Sequence, residues 1–270
     1  MPTVQVSTWD EFIAAFHSGT ADNYQVIEIM ADLDAKSSIT GSIGGSNTRF
    51  ITINGNYHKI SNISTATAFD SYIFMARYIL WSKCNFVNMI RNEPYAFFWQ
   101  ESARDDIRFE DCTFQGQGIC ICGYGRITSG NYPGFGNFTR CFITWTQTGT
   151  TIPGTCFGAA NFDRTYIDCE LTSGAGATSD FGNLQNTSYL RGKISGTPTG
   201  HTLLSSCSNS VINIECPDDF TITSYPGQLS VYNKDKLTGN IATTTNVIGV
   251  ADAQLKDAAY LASIGFNIIV

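Results

Sequence analysis

The stretch "RFITINGNYHKISNIS", residues 49–64, decides how the rest of the chain is read. Ile51 and Ile53 alternate with polar neighbours, as in a half-buried strand, and Ile60 resumes the pattern after "NGNYH". Asn-Gly between two apolar runs is a strong hairpin signal. The other reading is one rung of a repeat: a strand, a polar corner at Asn54–Asn56, and a second strand. Repetition elsewhere in the chain separates the two.

Segments ending in Cys-x-apolar recur along the chain. They are "ILWSKCNF" (79–86), "IRFEDCTF" (107–114), "NFTRCFI" (137–143) and "TYIDCEL" (165–171), then "SYLRGKI" (188–194) and "INIECPD" (212–218). Their aligned column is Cys84, Cys112, Cys141, Cys169, Gly192 and Cys216, with spacings of 28, 29, 28, 23 and 24 residues. His58 lies 26 residues before Cys84, and Ile60 stands in the place of Phe86. A second column runs through "YIFM" (72–75), "AFFW" (96–99), "ICIC" (119–122), "TCFG" (155–158), "FGNL" (181–184) and "TLLS" (202–205). Two strands per repeat of roughly 20–30 residues describe the coils of a β-solenoid. The expected fold is all-β, a right-handed parallel β-helix over residues 25–245.

Stacking accounts for the nine cysteines. Equivalent residues of successive coils lie ~4.8 Å apart. That exceeds the usual Cβ–Cβ separation of a disulfide. A column of reduced, buried thiols is expected.

The ends read differently. "TWDEFIAAF" (8–16) places Trp9, Phe12, Ile13 and Phe16 at helical spacing, and Thr8 with Glu11 makes a capping box. Residues 1–24 are therefore read as a capping segment with a short helix that closes an open solenoid end. "DAQLKDAAYLASIG" (252–265) reads as a single short helix, with Asp252 as N-cap and Gly265 past its end, within a C-terminal segment 246–270 that closes on the strand "FNIIV".

The totals exclude several functions. Net charge is −7, only 14% of residues are charged, and the 16 Lys and Arg are scattered. No basic stripe is present to neutralise a phosphate backbone, so nucleic acid is not an expected partner. No apolar run approaches the ~18 residues of a membrane span, so no membrane partner is expected. "MPTVQVSTWDEF" lacks the regions of a signal peptide, which points to folding in the cytoplasm.

"VSTWDEFIAAF…QVIEIMADLDA" followed by "ITINGNYHKISNIS" resembles the start of right-handed parallel β-helix proteins of the pectin-lyase-like superfamily, and "IRFEDCTFQG" and "TYIDCELTSG" resemble its repeated coil. The resemblance covers about residues 4–245 and is a pattern of coils. Separately, "ADAQLKDAAYLASIGFNI" (251–268) resembles C-terminal segments of prophage-encoded and surface proteins of gut Firmicutes. The superfamily implies polysaccharide lyases, galacturonan hydrolases, carbohydrate esterases or phage tailspikes, so the fold alone does not name an activity.

The galacturonan-hydrolase motifs are not matched: Asp105–Asp106 has no Asn-Thr-Asp before it, and "RGK" (191–193) precedes "GHT" (200–202). The calcium-lyase signature is not recognisable. As candidate catalytic carboxylates Asp105, Asp106 and Asp168 remain, in a retaining or inverting arrangement. Asp168 precedes Cys169 as Asp111 precedes Cys112, which would set Asp111 and Asp168 in one outward column about two coils, or ~9.6 Å, apart. Asp105 and Asp106 fall nearer the preceding corner, and no glycanase activity is expected. His17, His58 and His201 are isolated, so no metal or cofactor is expected. The Gly-rich insertion 123–137 carries Tyr124, Tyr132 and Phe135, which suit ligand or partner contact from a loop on a rigid scaffold.

The expected function is a non-enzymatic structural or recognition component of a phage or prophage virion, as tail spike, baseplate part or capsid decoration, assembled in the host cytoplasm. Expected partners are two further copies in a homotrimer, other virion proteins and a cell-surface glycan. The alternatives are a tailspike-like polysaccharide depolymerase and a bacterial surface adhesin.

Overall fold

The computed structural model describes residues 3–17, 25–44, 50–66, 72–91, 95–100, 106–124, 136–148, 157–173, 179–196, 201–217, 219–225 and 227–266. The chain winds as a parallel β-helix in which every described strand pairing is parallel and joins one coil to the next. Sheet A has 11 strands, from Thr3–Val6 and Gln25–Ile29 through Phe50–Asn54 and Tyr78–Ser82 to Ile241–Thr243. Sheet B has 10, from Leu33–Asp34 through Lys59–Ser61 and Asn85–Ile90 to Val247–Val250. Sheet C has four among the described residues: Ile43–Gly44, Phe74–Met75, Phe98–Gln100 and Cys122–Tyr124.

The quoted stretch is one rung, not a hairpin. Phe50–Asn54 lies in sheet A against Tyr78–Ser82, and Lys59–Ser61 lies in sheet B against Asn85–Ile90. The corner between them is built the same way in successive coils. A residue adopts a left-handed conformation (Tyr57, Lys83, Asp111, Arg140, Arg164, Thr187, Asn209; φ 47–70°), joined in two corners by the residue before it (Asn56, Asn186), and a small or polar residue follows. None of these is glycine, so each turn costs on the order of 1 kcal/mol in backbone strain, which the ladders on either side must offset.

The residue after each turn forms a corner column: His58, half-exposed, then the buried Cys84, Cys112, Cys141, Thr165, Ser188 and Ser210, with Ser230 in register next. Backbone N–H groups of the following residues donate to its carbonyls coil by coil, as Phe142 does to Cys112 and Tyr166 to Cys141. This corrects the sequence alignment from Cys141 onward. Phe142 pairs Tyr166, so Thr165 follows Cys141, while Cys169 pairs Trp145 and Gly192 in the middle of sheet B. Gly192 then pairs Ile214, so Cys216 belongs to neither column. The corner selects size and hydrogen bonding rather than sulfur. The thiols of Cys112 and Cys141 donate to the carbonyls of Trp81 and Phe109 one coil back, both at 3.4 Å. The hydroxyls of Thr165 and Ser188 likewise donate one coil back, to the carbonyls of Phe138 and Phe162 at 3.0 and 3.1 Å, and also accept from the N–H groups of Cys141 and Thr165 at 3.3 and 3.1 Å. Cys84, Cys112, Cys141 and Cys169 are all buried and unbridged. Burial pushes the Cys112 and Cys141 thiols well up, which keeps them protonated and unreactive.

The core is aromatic at one end and aliphatic at the other. Down sheet A, the inward position reads Ile53, Trp81, Phe109, Phe138, Phe162, Leu184, Cys207 and Ser224. The helix Trp9–His17 closes the wide end. Its Thr8–Glu11 capping box forms as expected, and Phe12 and Phe16 are fully buried against Phe74 and Trp81. At the other end the expected single helix is two, Asp252–Leu255 and Ala258–Ser263, because Asp257 caps the second by accepting from the N–H groups of Ala259 and Tyr260. Gly265 follows at φ +83°, as the sequence suggests. Leu255, Leu261 and Phe266 pack on Val211, Val231 and Val250 in a cluster separate from the main core. The strand expected at 266–270 lies outside the described residues except for Phe266.

The second sequence column divides between sheets. Phe74, Phe98 and Cys122 stack in sheet C, whereas Phe157, Phe181 and Leu204 stack in sheet A. Coils up to Tyr124 therefore have three walls. Among the described residues, sheet C has no strand beyond Tyr124, and later coils have two walls with longer strands, such as Ser179–Gln185 and Tyr189–Gly196.

Candidate functional site

A groove of about 680 Å³ opens between the capping helix and the first coil. The helix contributes Trp9, Asp10, Ile13 and His17; the coil contributes Asp34 to Ile43, including the hydroxyls of Ser37, Ser38, Thr40 and Ser42. A second hollow of about 290 Å³ shares Lys36, Ser37 and Ser38 with it and adds Asn62, Ser64, Asn88 and Ile90 from the next two coils. The two hollows adjoin through these shared residues as a channel that passes from the first coil to the next two, its wall mixing polar groups with Ile13, Ile39, Ile43 and Ile90.

The floor of the channel is held by a side-chain ladder. Asn62 donates from Nδ2 to Asp34 Oδ1 at 2.8 Å, and Asn88 donates to Asn62 Oδ1 at 2.6 Å. Lys36, Asn62 and Asn88 all take left-handed backbone, which asparagine tolerates better than most residues. The hydrogen bonds from Asn62 and from the Lys36 N–H hold the Asp34 carboxyl below the usual carboxylate range, so it stays ionised. His17 accepts the Gly44 N–H at Nδ1, which ties the end of the helix to sheet C. Trp9 is half-buried, with its ring 5.5 Å from Phe12, and lines the channel. The sequence reading assigned Trp9 only to packing and passed over the hydroxyl-rich "KSSITGS" (36–42). That run, directly after a strand of the first coil, was the available signal.

Of the candidate carboxylates, Asp106 and Asp168 are not brought together. Asp106 begins a strand of sheet A and pairs with Arg108 at 2.5 Å. Asp168 lies on sheet B and pairs with Arg191 at 3.0 Å. The expected Asp111–Asp168 column does not exist: Asp111 is a corner residue bound twice by Arg140, at 2.7 and 2.9 Å, whereas Asp168 is in register with Thr144 and Arg191. Asp105, Tyr132 and Phe135 lie outside the described residues. Tyr124 ends the last strand of sheet C. His58 faces Asp32 at 3.3 Å on the surface. Among the described residues no group of three or more His, Cys, Asp or Glu is placed to hold a metal ion, and no helix is long and apolar enough to cross a membrane.

Sheet B carries a second exposed feature. Phe142, Tyr166 and Tyr189 stack on its outer face with centroids 4.6 and 5.5 Å apart. The stack runs from the C-terminal helices, where Tyr189 packs on their cluster, to the half-exposed ring of Phe142. Ion pairs Asp168–Arg191 and Lys193–Glu215 lie beside it.

Residues 3–121 match the family model described as a pectate lyase-like adhesive domain. The match ends one residue before the last strand of sheet C, so it covers the whole channel and the three-walled coils up to that strand. No curated protein and no solved structure matches the chain. Match and architecture agree on a parallel β-helix.

Proposed function

We propose that the chain is an adhesin-like, surface-binding β-helix that holds a cell-surface glycan in the channel beneath its capping helix, without cleaving it. The observation that carries this reading is the similarity of residues 3–121 to an adhesive domain, because those residues build the channel. A rigid solenoid with a groove that passes across successive coils suits an extended polymer. Asp106 and Asp168 are each engaged by an arginine on different sheets, an arrangement that does not favour the depolymerase reading. Labelled protein is expected to be retained on intact bacterial cells and lost from cells stripped of surface polysaccharide by periodate. Equal retention on both, or release of reducing ends from the polysaccharide, would sink the proposal.

The finer reading places this adhesive surface on a phage or prophage particle, as a trimeric spike, baseplate or decoration component. It is supported by the resemblance of residues 251–268 to prophage-encoded and surface proteins. Antibody labelling of particles and cells by electron microscopy separates the two: label on particles supports the virion, and label confined to the cell envelope supports the bacterial adhesin.

A further inference from the structure

The charge and chemistry of the channel restrict what it can hold. Resting on the surface-binding reading above, we infer that the channel takes a neutral glycan, of hexose or N-acetylhexosamine units, and rejects polyuronates of the pectate type. A polyuronate brings one carboxylate per sugar. Against these the described residues of the channel set two carboxylates, Asp10 and Asp34, and a single ammonium, Lys36. Asp34 remains ionised because Asn62 and the Lys36 N–H both donate to it. A polyanion in this groove would meet like charge at close range without the Arg and Lys clamps that anionic ligands require.

The same residues suit uncharged sugars. Carboxylates accept hydrogen bonds from sugar hydroxyls, and the hydroxyls of Ser37, Ser38 and Thr40 can donate or accept as the ligand demands. Trp9 offers a rigid, half-buried ring on the opposite wall, an apolar body for the C–H face of a pyranose. Beyond Ser38 the channel continues over Ser64, Asn62 and Asn88, uncharged groups that contact a second sugar along the axis. The channel thus carries amide and hydroxyl groups along its length beside apolar Ile13, Ile39, Ile43 and Ile90, with an aromatic wall at one end.

Calorimetric titration of the full chain with hexamers of β-linked glucose, N-acetylglucosamine and galacturonate, at neutral pH and low salt, tests this. At least one neutral hexamer should bind at least tenfold more tightly than the galacturonate hexamer. Trp9→Ala should weaken that neutral binding about tenfold, whereas Trp9→Phe, which keeps a ring and guards against a folding defect, should retain most of it. Asp10→Lys should narrow the preference against galacturonate. Galacturonate binding as tightly as the neutral sugars, or neutral binding indifferent to Trp9→Ala, would overturn the inference. Retention on cells with no hexamer bound also overturns it and leaves the surface-binding reading standing. Hexamer binding with no retention on cells does the reverse.

Discussion

The coils before Tyr124 and those after Asn137 solve the same packing problem with different cross-sections. In the first group a third wall encloses a wide interior, and Trp81 fills it with Phe74, Phe86 and Phe98, at centroid separations of 5.1–5.3 Å. In the second, the two walls face each other directly: Phe138, Trp145, Phe157, Phe162 and Phe181 continue the aromatic packing, and Leu184, Leu190, Ile194 and Leu204 take over in the later coils. The Gly-rich insertion falls at the join. Gly136 re-enters beside Cys122, where an added Cβ would lie 2.9 Å from the Phe138 ring. The similarity to an adhesive domain is confined to the first group. The comparison teaches that a solenoid can keep its A–B corner unchanged while losing a wall, and that the channel belongs to the three-walled part.

The largest expected effect breaks the comparison if the halves are not separable. Trp81→Ala removes the hub of the aromatic cluster and should cost ~3–5 kcal/mol. Because each coil contacts mainly its neighbours, hydrogen exchange should accelerate in strands Phe50–Asn54 to Asp106–Glu110 and much less in Tyr189–Gly196 and Val211–Glu215. Uniform acceleration along the chain would mean one cooperative unit.

A smaller effect sharpens the comparison on the two-walled side. Gly192 has φ +124°, and an added Cβ would lie 1.9 Å from the Cys169 carbonyl oxygen of the preceding coil. Gly192→Ala should therefore destabilise by about 2–4 kcal/mol, through strain and a backbone clash together. Gly227 also has positive φ, at +84°, but open space around it, so Gly227→Ala should cost only about 1 kcal/mol. Thermal melts that place the two variants together would remove close coil stacking as the cause.

Gly192 also shows why the sequence was legible in part. The strand–corner–strand rung was readable because alternation and spacing repeat from His58 to Cys141, and the pairing confirms that register. It failed beyond Cys141 because cysteine identity was followed where the fold constrains only size. The pattern of any residue, then a small one, then a large one, as in "RCF", "RTY", "TSY" and "NSV", carries the true register. The channel was hidden for a different reason. It forms where helix Trp9–His17 meets a loop some 25 residues later, and no local periodicity encodes that meeting.

The smallest expected effect lies at the seam itself. Arg140, at the first corner after the third wall ends, binds Asp111 of the last three-walled coil at 2.7 and 2.9 Å and lies 3.9 Å from Glu110. The pair is partly exposed and screened by solvent, so Arg140→Gln should cost about 0.5–1 kcal/mol. Its hydrogen bonds from Arg140 hold the Asp111 carboxyl below its usual range. A carboxyl whose folded pKa is depressed contributes stability above its unfolded value, about 3.9, and loses it as pH falls through the folded value. The difference between wild type and Arg140→Gln should therefore be constant from about pH 5 to 7, shrink below about pH 4, and diminish in high salt. Denaturant titrations at these pH values check it. A difference that persists at the acid end would mean that Arg140 holds the seam through its packing stem rather than its charge.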